Sequence, residues 1–289
     1  MFKFTCLLLS FFLIGFFCES RTKRFRYADL LTCLTNRPDW EVIKPETNEL
    51  QNLRARLDQT FDYLGAGEQS VAFLGKDGKT VLKFFKHGQP WKETICQKLP
   101  VVWQKKINKM HLCRPFSPDN LFRSCKIAFE DLKEETGLLY LHLNKTERRW
   151  GKAILYDAIE VKHEIDLDKT EFIVQEYSEL ALSVIYQRMK EGQIESAKTL
   201  VLSLLESIEN YCRKGVHVDR PAIHRNVGFK DGKVILLDIG SFRKSEDFKT
   251  DEALQKELIA VSARLERWLR KYHPVLLPVL KDHLQSRGV

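Results

Sequence analysis

The sequence has little of what builds a disulfide framework or a structural zinc site. Its seven cysteines are scattered, and no two of them are spaced as Cys-x-x-Cys. An odd and irregular set of this kind is typical of small buried side chains rather than of disulfides or metal ligands. Internal repeats and low-complexity tracts are also lacking, which excludes a repeat architecture.

Basic charge is not concentrated in the body of the chain. The net charge is +8, but five of the 47 basic residues and only one of the 39 acidic residues lie in the first 26 positions. Half of the basic excess therefore belongs to this N-terminal segment. No nucleic-acid-binding module and no aromatic-basic alternation is present, so we expect no nucleic-acid partner.

The N-terminal segment has the features of a targeting sequence. Phe4–Cys18 is a run of 15 residues without a charge, preceded by Lys3 and followed by the basic stretch 21–26. Its length suits a secretory signal, and Cys18 and Ser20 place small residues at an A-x-A-like cleavage site. The heavier charge after the run favours instead an uncleaved anchor with the body in the cytoplasm. A lipidated Cys18 and a buried helix are further readings. We predict a signal peptide or membrane anchor over residues 1–26, and an exported or membrane-associated protein.

The remainder, 44% apolar and 30% charged over the whole chain, reads as an ordinary globular protein. After an N-terminal extension (27–60), the order of elements indicates an α+β fold, with a sheet-rich first lobe (61–177) and a compact helical second lobe (178–289). The predicted elements are a helix over Glu46–Leu57; strands near Tyr63–Leu64, Ser70–Leu74 and Thr80–Phe85; a polar insert over 87–120 without an assigned role; a long helix over Leu121–Leu143; strands over Ala153–Val161 and Glu171–Tyr177; helices over Leu180–Lys190 and Ile194–Arg213; a hairpin over Val227–Leu237; and a helix over Glu252–Tyr272 before a proline-punctuated tail.

The stretch from Gly215 to Phe242 carries the clearest chemistry. It contains His217-Val-Asp219, then Asn226, then an apolar strand that ends in Asp238-Ile-Gly240. The Asp219 carboxylate is a candidate base. The amide oxygen of Asn226 and the carboxylate of Asp238, twelve residues later, are candidate Mg²⁺ ligands. Asp-x-Gly turns at strand ends and Asp- and His-containing loops are also common without any function. Each motif taken alone is therefore equally explained by an ordinary turn.

A second set of residues lies upstream. Gly65-Ala-Gly67 is followed by Ser70 and sits between two predicted strands, where backbone N–H groups can approach phosphates closely. Lys83 lies 16 residues after Gly67, on the strand that follows the next turn. Alone, the glycines are explained by a plain hairpin turn, and the lysine by an exposed position on a half-buried strand.

The two sets together resemble the protein kinase superfamily, over roughly Phe61 to Phe242. The resemblance implies a bilobal kinase-like fold that uses ATP and Mg²⁺. It implies that Gly65, Gly67, Ser70 and Lys83 bind the nucleotide phosphates, that Asp219 is the catalytic base, and that Asn226 and Asp238 bind the metal. It also implies a glutamate partner for Lys83. We assign this role to Glu135, because it lies at the edge of the apolar stripe of the predicted helix.

The sequence also departs from the kinase pattern. Asn226 is seven positions after Asp219, where the kinase signature has five, and Ile239 replaces a phenylalanine. Only 51 residues follow Asp238, and no Ala-Pro-Glu motif is among them. We therefore predict a compact, atypical phosphotransferase acting on an acceptor that the sequence does not identify, a small molecule or a protein. The alternatives are a catalytically inactive pseudokinase that acts as a binding module, and a membrane-tethered structural protein with coincidental motifs.

Overall fold

The computed structural model describes residues 14–15, 17–23, 25–32, 34–43, 45–87, 100, 118–219 and 222–289. Most of the predicted targeting run Phe4–Cys18 and most of the 87–120 insert lie outside these residues. The described positions between 14 and 21 are helical. Within the described ranges, no helix is long and apolar enough to cross a membrane.

The chain forms two compact units. The first comprises the described residues of Met1–Asp119 together with Tyr140–Gln175, and the second comprises Asn120–Leu139 and Glu176–Val289. The second unit thus includes a segment that precedes part of the first along the chain. The predicted lobe boundary after Tyr177 stays a prediction.

A seven-stranded sheet organises the first unit, in the order β4-β7-β3-β2-β1-β5-β6. Its strands are β1 (Thr60–Ala66), β2 (Ser70–Gly75), β3 (Thr80–Phe85), β4 (Leu138–His142), β5 (Lys152–Tyr156), β6 (Lys162–Asp166) and β7 (Phe172–Glu176). The first three strands pair antiparallel, as the turn residues predict, and β1 pairs parallel with β5. Along β2 the buried side chains alternate, with Val71 and Phe73 fully buried, which is the period-two pattern of a strand with a core face.

The N-terminal extension packs onto this sheet. Helix α1 (Thr47–Leu57) confirms the predicted helix and buries Leu53 and Leu57. Upstream, Phe25 is buried edge-on against Phe73, with ring centroids 5.7 Å apart. The packing thus begins within the segment assigned to targeting.

The single long helix predicted over Leu121–Leu143 is wrong. The structure has helix α2 (Pro118–Asp131), a short helix α3 (Lys133–Thr136) and then strand β4. Gly137 ends α3 with a φ of 61°, a left-handed conformation that stops a helix. The leucines beyond it continued the helical spacing by coincidence: Leu139 lies in β4, and Leu143 follows the strand directly. Similarly, the strand predicted over Ala153–Val161 ends at Tyr156, and β6 follows separately.

The second unit is built mainly of helices. They are α4 (Ala181–Lys190), α5 (Ile194–Arg213), α6 (Ile223–Asn226), α7 (Asp251–Tyr272) and α8 (Leu277–Ser286). The predicted helices α4, α5 and α7 are confirmed, whereas α8 occupies what the sequence analysis described as a tail. Two small sheets complete the unit, from β8 (Glu179–Leu180), β10 (Val227–Lys230) and β11 (Lys233–Leu236), and from β9 (Val216–Val218) and β12 (Phe242–Lys244).

Candidate active site

Two strand pairings in the second unit place Asp219, Asn226 and Asp238 on neighbouring segments. Strand β12 pairs antiparallel with β9, with Phe242 opposite Val218, and the amide of Asp219 donates to the carbonyl of Ser241 over 2.9 Å. The segment after Asp238 is thereby held beside the segment that carries Asp219. The β10–β11 hairpin likewise places Asn226 next to the end of β11, where the amide of Leu237 donates to the Asn226 carbonyl over 2.8 Å.

Asn226 and Asp238, the predicted metal ligands, are in direct contact. The Asn226 Nδ2 donates to Asp238 Oδ2 over 3.0 Å, and the Gly240 amide donates to Asp238 Oδ1 over 3.2 Å. Because the amide nitrogen makes this contact, Asn226 Oδ1 is a candidate oxygen ligand beside the carboxylate. Both oxygens are of the hard type that Mg²⁺ prefers.

The pair fits a metal that is shared with a phosphate ligand rather than one enclosed by protein. Among the described residues, no group of three or more histidine, cysteine or carboxylate side chains could hold a metal ion. Protein-bound Mg²⁺ commonly uses one or two side-chain oxygens and completes its octahedron with phosphate oxygens and water. Two adjacent oxygen-bearing side chains at a strand end therefore fit the ligand set of Mg²⁺ carried by a nucleotide.

A buried serine holds the Asp238-Ile239-Gly240 turn in place. Ser124 Oγ in α2 donates to the Ile239 carbonyl over 2.6 Å and accepts from the Phe242 amide, also over 2.6 Å. Ile239 itself is buried. Ser124 therefore satisfies two backbone groups that would otherwise be unpaired on either side of the turn. The sequence analysis missed Ser124, because one small side chain on an apolar helix face carries no functional signal.

Asp219 lies in a charged cluster that the sequence analysis did not foresee. Arg243 on β12 donates through Nη2 to Asp219 Oδ1, and His217 Nε2 lies 3.3 Å from the same oxygen. On its other side, His217 Nδ1 lies 2.8 Å from Oε2 of Glu257, a buried side chain of α7. The pairing of β9 with β12 could have suggested Arg243, since it stands directly opposite His217.

The buried end of this cluster is anchored by a tyrosine. Tyr211 in α5 donates its hydroxyl proton to Glu257 Oε1 over 2.9 Å. Burial raises the pKa of Tyr211 well above its ordinary value, and the neighbouring Glu257 carboxylate adds to the effect. The hydroxyl therefore remains a proton donor throughout the physiological range.

Glu135, the predicted lysine partner, lies at the end of α3 rather than in a long helix. Its Oε1 accepts from Lys214 Nζ. Its Oε2 is buried and has no hydrogen-bond partner in the described part of the chain. The predicted pairing of Glu135 with Lys83 stays a prediction.

The remaining predicted site residues belong to the first unit. The turn between β1 and β2 is closed by a 2.8 Å hydrogen bond from the Gly67 amide to the Ser70 carbonyl. A Cβ at Gly65 would meet no atom within 4 Å, and neither glycine of the turn has a positive φ. The fold of this unit therefore does not itself require glycine at Gly65. Lys83 is half-buried on β3, opposite Ala72 of β2.

The first unit is rich in strands and the second in helices, as the sequence analysis predicts. No protein-family model matches the sequence, and no curated protein matches it. Among solved structures, three of WbdD are similar, one described as a bifunctional kinase-methyltransferase and one in complex with a kinase inhibitor. Their identities are 15–16%, their TM-scores are 0.34–0.36, and 76–78% of this chain is covered. The chain spans less than half the length of these WbdD chains, at 42–45%.

A further solved structure, a ternary complex of APH(2")-IIa with streptomycin and ATP, shows 12% identity and a TM-score of 0.25. The match covers 76% of this chain and 83% of the APH(2")-IIa chain. At TM-scores below 0.5, these neighbours add no argument about the site. The assignment of site residues rests on the motifs and on the contacts described above.

Proposed function

We propose that the protein is an atypical kinase-like phosphotransferase that transfers a phosphoryl group from ATP, with Mg²⁺, to an acceptor. The observation that carries the proposal is the contact between Asn226 and Asp238. These residues are twelve positions apart in the sequence and come from two different motifs of the kinase pattern. Their meeting is what metal binding requires, and a chance Asp-x-Gly turn does not need a neighbouring asparagine.

Each residue then has a definite task. In the first unit, the backbone of the Gly65–Ser70 turn and the Lys83 ammonium bind phosphate oxygens. In the second unit, Asn226 and Asp238 would hold Mg²⁺, which would supply positive charge to the phosphates. Asp219 accepts the proton of the acceptor group, since it is the carboxylate in the position of the kinase base.

A pseudokinase remains the second candidate, and a specific contact favours it. Arg243 donates to Asp219, and the loop between Asp219 and Asn226 is two residues longer than in the kinase signature. A base that is neutralised by an arginine and displaced by a longer loop suits a binding module without turnover. Nucleotide binding and turnover must therefore be measured separately.

The first test is a thermal-shift titration of the full chain with ATP in the presence and absence of Mg²⁺. A ligand that binds only the folded state raises the unfolding midpoint as its concentration increases. We expect a Mg²⁺-dependent rise in the wild type that Asp238→Asn abolishes, because this change removes the charge while keeping the shape.

Asp231→Asn is the matched control, because Asp231 lies in the exposed turn between β10 and β11. It should respond to ATP as the wild type does. If the wild type shows no rise at any ATP concentration, the phosphotransferase is excluded and a kinase-shaped binding module is the better account.

A further inference from the structure

The two oxygens of Asp219 have different surroundings. Arg243 and His217 both face Oδ1, whereas Oδ2 accepts no hydrogen bond from any described residue. The side chain is 44% exposed, so it is within reach of solvent and of a ligand. One oxygen is therefore held by the protein while the other remains available to an external donor.

The sheet register explains why these three side chains meet. Arg243 on β12 is paired directly with His217 on β9, so their side chains lie on the same face of the two-stranded sheet. Asp219 is two residues after His217, which returns it to that face. The arrangement follows from backbone pairing and not from flexible surface side chains that meet by chance.

The far side of His217 is supported as well. Glu257 is 3% exposed, and its two oxygens face Tyr211 and His217 Nδ1. The imidazole is thus placed between a buried carboxylate and Asp219 Oδ1. The contacts come from Tyr211 on α5 and Glu257 on α7, two helices of the second unit. Because they fix the imidazole, they also limit the rotation of the Asp219 carboxylate.

We propose that Arg243 is a positioning residue for Asp219, holding Oδ1 so that Oδ2 faces the acceptor and takes its hydroxyl proton. This inference rests on the proposed function. In the step it serves, the acceptor oxygen forms a bond to the γ-phosphorus as its proton passes to Asp219 Oδ2. The bond between the γ-phosphorus and the bridging oxygen breaks, and ADP leaves with the electron pair. In this proposal Arg243 acts on the step only through Asp219.

An inhibitory role for Arg243 predicts the opposite effect on turnover when its guanidinium is removed. If Arg243 merely neutralised Asp219, removing the guanidinium would free the base and increase turnover. If it positions Asp219, removing it lets the carboxylate rotate and turnover falls. General-base catalysis contributes roughly 10²- to 10⁴-fold, so losing its alignment should cost about 10-fold or more in kcat.

The experiment compares the full-length wild type with Arg243→Ala, Arg243→Lys and Lys244→Ala. Water serves as the acceptor, and phosphate release from ATP is the readout. Lys244→Ala is the control, because Lys244 lies on the same strand and also pairs with a carboxylate, that of Asp131. We expect Arg243→Ala to lower kcat about 10-fold with KM for ATP unchanged, Arg243→Lys to restore part of kcat, and Lys244→Ala to change neither constant.

A second readout is independent of activity. The unfolding midpoints of Asp219→Asn, Arg243→Ala and the double variant should be non-additive, since residues in contact share an interaction that either change removes. Additive midpoints, or an Arg243→Ala variant with unchanged or increased kcat, overturn the positioning role. A wild type whose midpoint rises with ATP and Mg²⁺ but which releases no phosphate also overturns it, while nucleotide binding stands. No midpoint rise at all means that the proposed function itself has failed.

Discussion

At the scale of the residue, Ser124 shows how one hydroxyl can fix a functional turn. It is 2% exposed and bridges the Ile239 carbonyl and the Phe242 amide, on either side of Gly240. Ser124→Ala would leave both backbone groups buried without a partner, and each such group costs roughly 1–3 kcal/mol. We expect a loss of about 2 kcal/mol in the free energy of unfolding, measured by urea denaturation.

Thr199→Ala provides the comparison for this change. Thr199 is exposed on α5, and its hydroxyl donates only to the Glu195 carbonyl one turn earlier. Its removal should alter the free energy of unfolding by less than about 0.5 kcal/mol. Equal losses for the two variants would show that the Ser124 bridge does not hold the turn.

The same scale shows which candidate residues have a signal in the sequence. Asn226 and Asp238 could be proposed as metal ligands because their residue types, order and spacing form a pattern. Arg243 and Glu257 were not, because their roles depend on strand pairing and on a helix that follows later in the chain. A side chain whose role comes from a long-range contact has no local signal, and its position becomes clear only in the folded molecule.

At the scale of the element, helix α8 is attached to α5 through a buried carboxylate. Glu209 Oε1 lies 2.8 Å from His283 Nε2 and 2.8 Å from Arg287 Nε, and Oε2 lies 3.2 Å from Arg213 Nη2. Burial raises the pKa of Glu209, but the hydrogen bonds from Arg287 and His283 outweigh it and lower the pKa below its ordinary value.

Glu209→Gln should therefore loosen α8. We expect a loss of about 2 kcal/mol in the free energy of unfolding, since a paired and buried charge is removed while its partners remain partly solvated. Limited proteolysis should cleave α8 faster than in the wild type. Glu195→Gln, an exposed change at the far end of the same helix, should leave both measurements nearly unaltered. Identical cleavage of all three proteins would contradict the anchoring role of Glu209.

Elements whose apolar period was unbroken were predicted well, and those shaped by one special residue were not. Helices α4, α5 and α7 have long amphipathic faces, and the hairpin of β2 and β3 has an Asp-Gly turn. In contrast, the leucines after Gly137 kept a helical spacing although the backbone there turns into β4. Helix α8 was missed because the prolines before it suggested an irregular tail, whereas one of them opens the helix.

At the scale of the whole molecule, stability in mild acid should depend on one buried imidazole. His142 is 3% exposed and stacks on Phe172 with ring centroids 4.7 Å apart. Burial lowers the pKa of His142 to about 4. The unfolded chain binds a proton near pH 6.5 while the folded protein does not. Stability should thus be lost as the pH falls from about 6.5 to about 4, by up to about 3 kcal/mol.

The contribution of His142 can be isolated by comparing variants. His142→Phe keeps a ring in the same aromatic cluster and cannot take up a proton, so its stability should vary less between pH 6.5 and pH 4. His224→Gln, at an exposed position of α6, should leave the change in unfolding free energy between pH 6.5 and pH 4 as it is in the wild type. Urea denaturation at four pH values in this window measures both. If His142→Phe loses as much stability between pH 6.5 and pH 4 as the wild type does, the assignment of this loss to His142 is contradicted.

The central claim, that Asn226 and Asp238 hold the metal of a bound nucleotide, is tested most directly by crystallography. The protein would be crystallised with a non-hydrolysable ATP analogue and Mn²⁺, which replaces Mg²⁺ and gives an anomalous signal. The account predicts an anomalous peak at metal–ligand distance from oxygens of both side chains and of the phosphates. A bound nucleotide whose metal lies away from both residues, or crystals that take up neither ligand, would contradict it.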